Sequence, residues 1–488
     1  MDLWTKLQRC LHPDTLNATF NQKENMIEKI FKAYDIRATY PNPLNEESAW
    51  RVGHATGQYL KRSRQNLPES ARVKLEDTMV VSRDMRPSSP DLCRNLSDGI
   101  RSTGMNVIDI GMVDTSMIYF AINHLDTVGG IQTTASHNPV QYNGFKISGP
   151  KAKPIGSASG LDDIKRIATT LRVGQTGLQG KYEERDIWPA YRQHVLKFMN
   201  MGRKLRVAVD ASNGMAGKMV PAVFGGVPNL EIIPILFEIT GSFVHDPNPL
   251  VEKNLDMLKE KMAQVKPDIG VCFDGDADRC IFLDENQKVI GSDIITALLA
   301  RDFLGQPGNE GSTVVYDLRS SHVVPDEIQA AGGVPRRDRV GHAFIKKTMA
   351  ETQAIFGGEL SGHIYFRDNF YADSAAIAFA RLVSVLSNQP KSLGNLVAPL
   401  YRYSQSGELN FQVEDKDAKI RELAEMYKKA KIDYLDGITI DFGDWWFNVR
   451  KSNTEPLLRL NLETKTLALL EEKLRELKRV LGEPLEGH

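Results

Sequence analysis

The sequence has little cysteine, almost no net charge and no long apolar run, and each shortage excludes a class of protein. Its 488 residues include 4 cysteines and no CxxC pair, which excludes a disulfide-rich scaffold and favours free thiols in a reducing compartment. Lysine and arginine total 61 against 62 for aspartate and glutamate, which gives a net charge of −1. A global basic surface for nucleic acid is therefore not expected.

Segments that enter membranes are also lacking. No run of about 18 apolar residues occurs, so we expect no membrane-spanning helix. Residues 1–20 mix charges with leucine and lack the continuous apolar segment of a signal peptide. With 41% hydrophobic and 25% charged residues, the composition is typical of a globular protein with several domains. We predict a soluble, cytoplasmic protein with neither nucleic acid nor membrane as a partner.

Three short β-branched segments share one sequence pattern. Residues 78–84, 206–212 and 313–319 each begin with an apolar run and end in a polar turn. Each run predicts a buried strand, and a segment with helical potential follows each of them. Because the spacing between them is of domain size, we predict three related α/β units.

The pattern changes after residues 389–390. A strand is predicted over 401–413, an amphipathic helix over 415–429 and a final helix over 467–481, with two apolar segments between the helices. This order predicts a small α+β domain at the C-terminus. The predicted domain boundaries are 1–182, 183–290, 291–402 and 403–488.

The strongest chemical signal is Asp274-Gly275-Asp276-Ala277-Asp278-Arg279. Three carboxylates at alternate positions can converge on one divalent cation, because Mg²⁺ and Ca²⁺ prefer oxygen ligands. An EF-hand is rejected, since Arg279 would take the loop position that requires glycine and since apolar strands flank the run. A plain polar turn is disfavoured, because adjacent acids repel one another without a cation. Cys272 and Cys280 have apolar neighbours, which predicts buried strand residues rather than thiolate ligands.

A second signal is Thr133-Thr134-Ala135-Ser136-His137-Asn138-Pro139, followed closely by Lys146. Ser136 beside His137 suggests a nucleophile, but no GxSxG elbow is present, which argues against a hydrolase triad. Considered alone, the segment is more typical of a turn. Beside a metal site, Ser136 becomes a candidate acceptor of phosphate that also ligates Mg²⁺, with Lys146 as a cationic neighbour.

Two further loops have the composition of ligand-binding turns. Residues 450–456 read Arg-Lys-Ser-Asn-Thr-Glu-Pro, with Arg459 shortly after, and offer a guanidinium, hydroxyls and backbone amides to a phosphate dianion. Residues 357–363 contain glycines that allow close backbone approach, and Glu359 and Ser361 can hydrogen-bond vicinal sugar hydroxyls. Each loop by itself is ordinarily a surface turn.

Taken together and in this order, the four motifs resemble those of the α-D-phosphohexomutase superfamily, and they are most similar to its phosphomannomutase/phosphoglucomutase group. The similarity extends from residues 34–37 to Arg459. Asn453 supports the mannose/glucose group, because the glucosamine group typically has glycine there. The resemblance implies a heart-shaped α/β enzyme: three α/β domains with mixed sheets and a C-terminal α+β domain surround a central cleft, and each contributes one motif.

The resemblance also implies roles for individual residues. Ser136 would carry phosphate and, with Asp274, Asp276 and Asp278, hold Mg²⁺, while Arg279 would lie beside the transferring phosphoryl group. Residues implied to contact substrate are Arg37, His342, Glu359, Ser361, His363, Arg450, Ser452, Asn453, Thr454 and Arg459, and Arg319 is similar to a phosphate contact. His137, Lys146 and His342 are alternative candidates for the general base.

The implied reaction moves phosphate between the 1- and 6-positions of mannose or glucose phosphate. It would proceed through phosphorylated Ser136 and a hexose 1,6-bisphosphate, which is both intermediate and activator. A phosphoglucosamine mutase, a glucose-1,6-bisphosphate synthase and a phosphosugar phosphatase are the alternatives. A non-catalytic sensor is disfavoured, because it would need neither the serine nor the acids. Hexose monophosphates are the expected partners of a monomer or homodimer.

Overall fold

The computed structural model describes residues 26–65, 76–171, 177, 179–452 and 457–485. These residues form four β-sheets that follow one another along the chain, and we refer to each sheet with its helices as units one to four. The first three sheets mix parallel and antiparallel strands, whereas the fourth is antiparallel. The predicted fold class, three α/β units and a C-terminal α+β unit, is confirmed.

Unit one has a six-stranded sheet. Its strands are β1 (Ile36–Thr39), β2 (Glu76–Arg83), β3 (Asn106–Met112), β4 (Thr127–Thr133), β5 (Tyr142–Ser148) and β6 (Tyr182–Glu184), in the order β1-β5-β4-β2-β3-β6. Its helices are α1 (Glu46–Gln65), α2 (Ser89–Arg101), α3 (Thr115–His124) and α4 (Leu161–Thr170). Because β6 pairs with β3, unit one continues to Glu184, two residues past the predicted boundary.

Unit two places the acidic run in a hairpin. It contains α5 (Trp188–Leu196), β7 (Leu205–Asp210), α6 (Ala216–Phe224), β8 (Leu230–Ile235), α7 (Asp256–Val265), β9 (Ile269–Phe273), β10 (Cys280–Leu283) and β11 (Val289–Ile290). The strand order is β11-β10-β9-β7-β8, and Phe273 pairs with Cys280 across the hairpin. Cys272 and Cys280 are buried free thiols in these strands, as predicted. The residues between the two strands form the turn at the end of the sheet.

Unit three repeats this arrangement. It contains α8 (Ser292–Leu304), β12 (Thr313–Asp317), α9 (Val323–Ala330), β13 (Val334–Asp338), α10 (His342–Thr352), β14 (Phe356–Gly358), β15 (Ile364–Phe366), β16 (Ala372–Asp373), α11 (Ala375–Ser387) and α12 (Leu393–Val397). The strand order is β13-β12-β14-β15-β16. The antiparallel β14 and β15 hold residues 359–363 in the turn between them.

Unit four is a five-stranded antiparallel sheet with two helices. Its elements are β17 (Ser404–Phe411), α13 (Lys416–Met426), β18 (Lys431–Asp433), β19 (Ile438–Asp441), β20 (Trp445–Lys451), β21 (Leu458–Thr464) and α14 (Leu467–Leu481). The strand order is β17-β21-β20-β19-β18. The final helix has the predicted bounds, while the strand predicted over 401–413 is shorter at both ends.

The hydrophobic cores divide the molecule unequally. One large core joins units two and three to one face of unit one; in it Phe379 of α11 packs against Phe224 and Phe273, with ring centroids 4.8 and 6.1 Å apart. Unit four has a separate core around Phe447 and Leu460. Among the described residues, none of the helices combines the length and apolarity that crossing a bilayer requires.

Polar contacts attach unit four to unit three. Glu463 of β21 is buried and accepts hydrogen bonds from the Trp446 indole at 2.8 Å and from the His322 backbone N–H of unit three at 2.9 Å. Arg337 of β13 forms an ion pair with Asp433 of β18. Burial raises the pKa of the Glu463 carboxyl to about 7, because the interface removes water from its ionised form.

This shift predicts a pH dependence of stability. Since the folded protein favours protonated Glu463, its contribution is largest at low pH and is lost as pH rises through about 7. The Glu463→Gln variant lacks this loss, so its free energy of unfolding should fall by about 2 kcal/mol less between about pH 5 and about pH 8 than that of the unsubstituted protein. If calorimetry shows that the stabilities of the two proteins change with pH in parallel, the raised pKa of Glu463 is wrong.

Candidate active site

The serine loop and the acidic turn meet between units one and two. Ser136 follows β4, Asp274 follows β9, and the Ser136 hydroxyl donates a hydrogen bond to Asp274 Oδ2 at 3.0 Å. Both side chains are buried. Two motifs that lie far apart in the sequence are thus in direct contact.

The close approach of these two loops depends on Gly275. A Cβ atom at this position would lie 2.5 Å from the Ser136 carbonyl oxygen, so any larger residue would separate the loops. Ser136 itself has a φ of 50°, in the left-handed region, which costs a non-glycine residue about 1–2 kcal/mol. Its backbone N–H donates to Thr134 Oγ1 at 2.9 Å. The surrounding contacts therefore hold the serine in a conformation that it would not adopt alone.

Arg86 organises the backbone of the serine loop. Its guanidinium is buried and donates to the carbonyl oxygens of Ser136 at 2.9 Å, Asn138 at 2.6 Å and Pro139 at 2.7 Å. Asp84 pairs with Arg86 Nε at 3.1 Å. Sequence analysis missed Arg86, although its place just after the polar end of β2 was a usable signal.

The three aspartates form a compact buried cluster. One carboxylate oxygen from each of Asp274, Asp276 and Asp278 lies within 4.8 Å of the others. Lys146 Nζ donates to Asp276 Oδ2 at 2.8 Å and to Asp278 Oδ2 at 2.6 Å. The Thr115 hydroxyl, from the start of α3, also donates to Asp276 Oδ2, at 2.6 Å. Sequence analysis did not identify Thr115.

The second oxygens of two aspartates fit a metal ion. Asp276 Oδ1 and Asp278 Oδ1 are buried and have no hydrogen-bond partner among the described residues. Buried carboxylate oxygens without donors are costly unless a cation compensates them. Oxygen-only ligands of this kind suit Mg²⁺. The donor set therefore fits the predicted divalent cation.

The pKa shifts of the aspartates also favour a bound cation. Burial raises the pKa of Asp274 to about 7; Arg279 opposes this shift and the charge of Asp278 adds to it. Burial would also raise the pKa of Asp278, but Lys146 holds it well below the usual range. The cluster therefore contains repulsion that a bound cation would relieve.

Arg279 connects the acidic turn to the serine. Its Nε donates to Asp274 Oδ2 at 3.0 Å, and its Nη2 lies 3.4 Å from Ser136 Oγ and also contacts His137 Nδ1. Burial and the charge of Arg279 hold the pKa of His137 well below its ordinary value. Burial would lower the pKa of Lys146, but the charges of Asp276 and Asp278 raise it. His137 is therefore neutral and Lys146 is charged.

The turn between β14 and β15 reaches the acidic cluster through His363. His363 Nε2 lies 3.5 Å from Asp278 Oδ1, and its Nδ1 lies 3.4 Å from Glu359 Oε2 and 3.0 Å from the Ser361 hydroxyl. Glu359 also accepts hydrogen bonds from the Tyr365 hydroxyl and, at 3.0 Å, from a backbone N–H. Units two and three are thus joined at this turn.

This turn carries two opposite charges. Burial would raise the pKa of Glu359, but the hydrogen bond and charge of His363 lower it to about 2. Burial would lower the pKa of His363, but Asp278 and Glu359 raise it to about 9. The ionised Glu359 can only accept hydrogen bonds, which suits the hydroxyl groups of a sugar. His342 begins α10 with its ring 6.4 Å from that of His363, and burial lowers its pKa to about 4.

The arginines that were predicted to bind phosphate form a cluster, which we call the arginine cluster. Arg450 Nη2 and Arg459 Nη1 each lie 2.9 Å from a carboxylate oxygen of Glu408, and Arg319 Nη1 lies 3.4 Å from Glu408 Oε2. The backbone N–H of Ser452 donates to a main-chain carbonyl at 2.9 Å. Predicted residues Asn453 and Thr454 lie outside the described residues. Sequence analysis missed Glu408.

The remaining predicted cation, Arg37, lies at the serine loop. Its Nη1 donates to Asn138 Oδ1 at 2.6 Å and its Nη2 pairs with Asp35 at 2.5 Å. Asp317 links the arginine cluster to the turn between β14 and β15, since it accepts hydrogen bonds from Arg319 Nη2 and from the Leu360 backbone N–H, both at 2.8 Å. The contacts form a continuous series from the serine loop to the arginine cluster.

Four family descriptions match the chain in order. They are the phosphoglucomutase/phosphomannomutase alpha/beta/alpha domain I over residues 28–173, domain II over 189–288, domain III over 291–403 and the C-terminal domain over 408–479.

Individual proteins match over almost their whole length. A protein named "Phosphohexose mutases" from Xanthomonas campestris is 38% identical over 92% of this chain and 98% of its own, and a phosphomannomutase from Escherichia coli K12 is 37% identical over 93% and 99%. A crystal structure of a phosphoglucomutase/phosphomannomutase family protein from Burkholderia thailandensis superimposes with a TM-score of 0.82 at 30% identity, over 93% of this chain and 97% of that one. The chain therefore belongs to the phosphoglucomutase/phosphomannomutase family of phosphomutase enzymes, as its motifs predict.

Proposed function

We propose that this enzyme transfers phosphate between the 1- and 6-positions of mannose or glucose phosphate, with Ser136 as the residue that carries the phosphoryl group. The observation that supports this most strongly is the contact of Ser136 Oγ with Asp274, beside an acidic cluster in which the buried Asp276 Oδ1 has no hydrogen-bond partner among the described residues. A hexose 1,6-bisphosphate is the proposed intermediate. The names of the bacterial relatives support a hexose phosphate as the substrate class.

Asp274, Asp276 and Asp278 are the proposed ligands of Mg²⁺, together with the phosphorylated Ser136. When bound, the ion supplies Lewis-acid stabilisation of charge at the transferring group. Lys146 and Thr115 hold one oxygen of Asp276, so that its other oxygen stays available. This arrangement explains why the carboxylates are buried yet only partly hydrogen-bonded.

Arg279 provides fixed positive charge at the serine oxygen. Its Nη2 lies 3.4 Å from Ser136 Oγ, the atom on which negative charge grows when the phosphoryl group leaves. A charge held in place before the reaction stabilises this state without reorganisation. Asp274 keeps the guanidinium oriented through a hydrogen bond at 3.0 Å.

The proton of the attacking sugar hydroxyl passes, in our proposal, to a histidine rather than to Lys146. Lys146 is charged and donates to two aspartates, so it has no lone pair with which to accept a proton. His137 and His342 are neutral, because burial lowers the pKa of both. A neutral imidazole has the free lone pair that a general base needs, although a lowered pKa makes it a weaker base than an exposed histidine.

At the other end of the substrate, Glu359 and Ser361 are the proposed contacts of the sugar hydroxyls, and the arginine cluster binds the phosphate that does not react. Arg450 is 2% exposed, and its Nε has no hydrogen-bond partner among the described residues. A buried guanidinium with an open donor suits a phosphate group. One such site serves both orientations of the bisphosphate.

The Ser136→Ala variant should lose mutase activity while it keeps its melting temperature, because only the phosphate-carrying oxygen is removed. The measurement is conversion of mannose 1-phosphate and glucose 1-phosphate to their 6-phosphates. Ser159→Ala, which changes an exposed serine of the same unit, should leave the activity unchanged. Normal turnover in Ser136→Ala would remove this serine from the mechanism, and release of inorganic phosphate by the unsubstituted enzyme at the turnover rate would favour a phosphatase.

The Arg450→Ala variant should weaken binding of the phosphomonoester by about 1.5–3 kcal/mol, the usual value for a charge-assisted hydrogen bond. This effect should raise KM for mannose 1-phosphate by roughly 10- to 150-fold. Lys451→Ala is the matched control, since Lys451 is the neighbouring cation but pairs with Asp417 at an exposed position. Equal KM values for the two variants would show that Arg450 does not hold phosphate.

The Thr115→Val variant should bind Mg²⁺ or Mn²⁺ more weakly, by about 10-fold or more, because residues that orient a metal ligand typically contribute this much. Thr115→Ser keeps the hydroxyl that donates to Asp276 and should restore the affinity. Mn²⁺ titration followed by electron paramagnetic resonance measures binding independently of activity. If Thr115→Val and Thr115→Ser bind Mn²⁺ equally well, the proposed metal site is wrong.

A further inference from the structure

A single carboxylate occupies the centre of the arginine cluster. Glu408 Oε2 accepts from Arg450 Nη2 at 2.9 Å and lies 3.4 Å from Arg319 Nη1, while Oε1 accepts from Arg459 Nη1 at 2.9 Å. Arg319 belongs to unit three, whereas the other two arginines belong to unit four. Glu408 therefore connects the phosphate-binding cations of two units.

A β-bulge directs Glu408 toward these arginines. Along β17, Gln405 pairs with Glu463 and Glu408 pairs with Asn461, so β17 has one extra residue at this point. Gly407 in the bulge has a φ of 69°, which an L-residue adopts only with strain. Because a bulge shifts the alternation of side chains by one position, it determines which face Glu408 occupies.

Glu408 remains ionised in this environment. Burial would raise its pKa, but the charges of Arg319, Arg450 and Arg459 lower it. The cluster of three guanidinium groups and one carboxylate thus has a net charge of +2. A phosphomonoester carries close to two negative charges at neutral pH. Asp317, which pairs with Arg319 at 2.8 Å, reduces this charge to +1, so the cluster remains cationic toward a phosphate dianion.

Glu408 also engages the same donors that a phosphate would use. Its Oε2 is the acceptor for Arg450 Nη2 and the nearest acceptor for Arg319 Nη1. Without Glu408, Arg319 would still pair with Asp317, but the cluster would lose one negative charge, and its electrostatic attraction for a dianion at this partly buried site would be stronger. A site that binds each end of a bisphosphate in turn must also release it.

From this geometry we propose that Glu408 is a positioning residue that competes with the substrate phosphate for Arg319 and Arg450, and so keeps phosphate binding weak enough for rapid exchange. This inference rests on the proposed function of the arginine cluster. Glu408 acts through the arginines and requires no contact with the sugar. Removal of the Glu408 carboxylate should therefore tighten binding of the substrate and slow turnover. Loss of a merely structural contact would instead weaken binding of the substrate.

The test compares Glu408→Gln with the unsubstituted residue, both in a Ser136→Ala background so that no turnover occurs. Calorimetric titration with mannose 1-phosphate should show Kd lowered by about tenfold in Glu408→Gln, because one opposing charge has been removed from an anion site. In the background with Ser136 intact, both KM and kcat should fall. A KM that rises, or a Kd that is unchanged or higher, would overturn the proposal.

Two further variants keep this result interpretable. Glu463→Gln, titrated above pH 7 where Glu463 is ionised, is the matched control, because it removes a carboxylate from the same interface without touching the arginines, and it should leave Kd unchanged. Glu408→Ala removes the carboxylate without introducing an amide, and it should also lower Kd. This second variant provides the test if Glu408→Gln does not fold. An increase in affinity for Glu463→Gln equal to that for Glu408→Gln would contradict a specific role of Glu408.

Arg450→Ala separates this inference from the proposed function. If Arg450→Ala weakens binding and Glu408→Gln does not tighten it, the phosphate site stands and the role of Glu408 is wrong. If Arg450→Ala leaves Kd unchanged, the phosphate site itself is misplaced, and the role of Glu408 is wrong with it.

Discussion

The structure depends on one electrostatic constraint: three aspartates are buried together beside a serine hydroxyl. Such a cluster is stable only if positive charge compensates it, and Lys146 and Arg279 provide part of that charge. Two carboxylate oxygens still have no hydrogen-bond donor among the described residues. A divalent cation would supply further positive charge at these atoms.

The hydrophobic cores set unit four apart from the other three units. Units one, two and three share a large hydrophobic core, which fixes the serine loop, the acidic turn and the turn with Glu359 relative to one another. Unit four has its own core and meets unit three through polar groups such as Glu408 and Glu463. The serine loop and the acidic turn thus lie on units that share one core, while the arginine cluster spans units three and four, which meet through charged contacts.

Much of the fold and site was predictable, because the signals are local. The strand before Asp274 is a short apolar run and was predicted as a strand, and α14 has a clear helical period and has its predicted bounds. Thr115 and Glu408 were missed, because each acts through a partner distant in sequence and has no motif of its own, whereas Arg86 was missed although it follows the polar end of β2. The bulge that directs Glu408 arises from pairing between strands, which local patterns do not encode.

The central claim is that Ser136 carries the phosphoryl group that reaches the sugar. The most direct test is to incubate the enzyme with glucose 1,6-bisphosphate labelled in its phosphate groups and to locate the label by tandem mass spectrometry. We expect one labelled phosphate, on Ser136, that is passed to mannose 1-phosphate when this is added. Label on another residue, or label on Ser136 that does not transfer to the sugar, would contradict it.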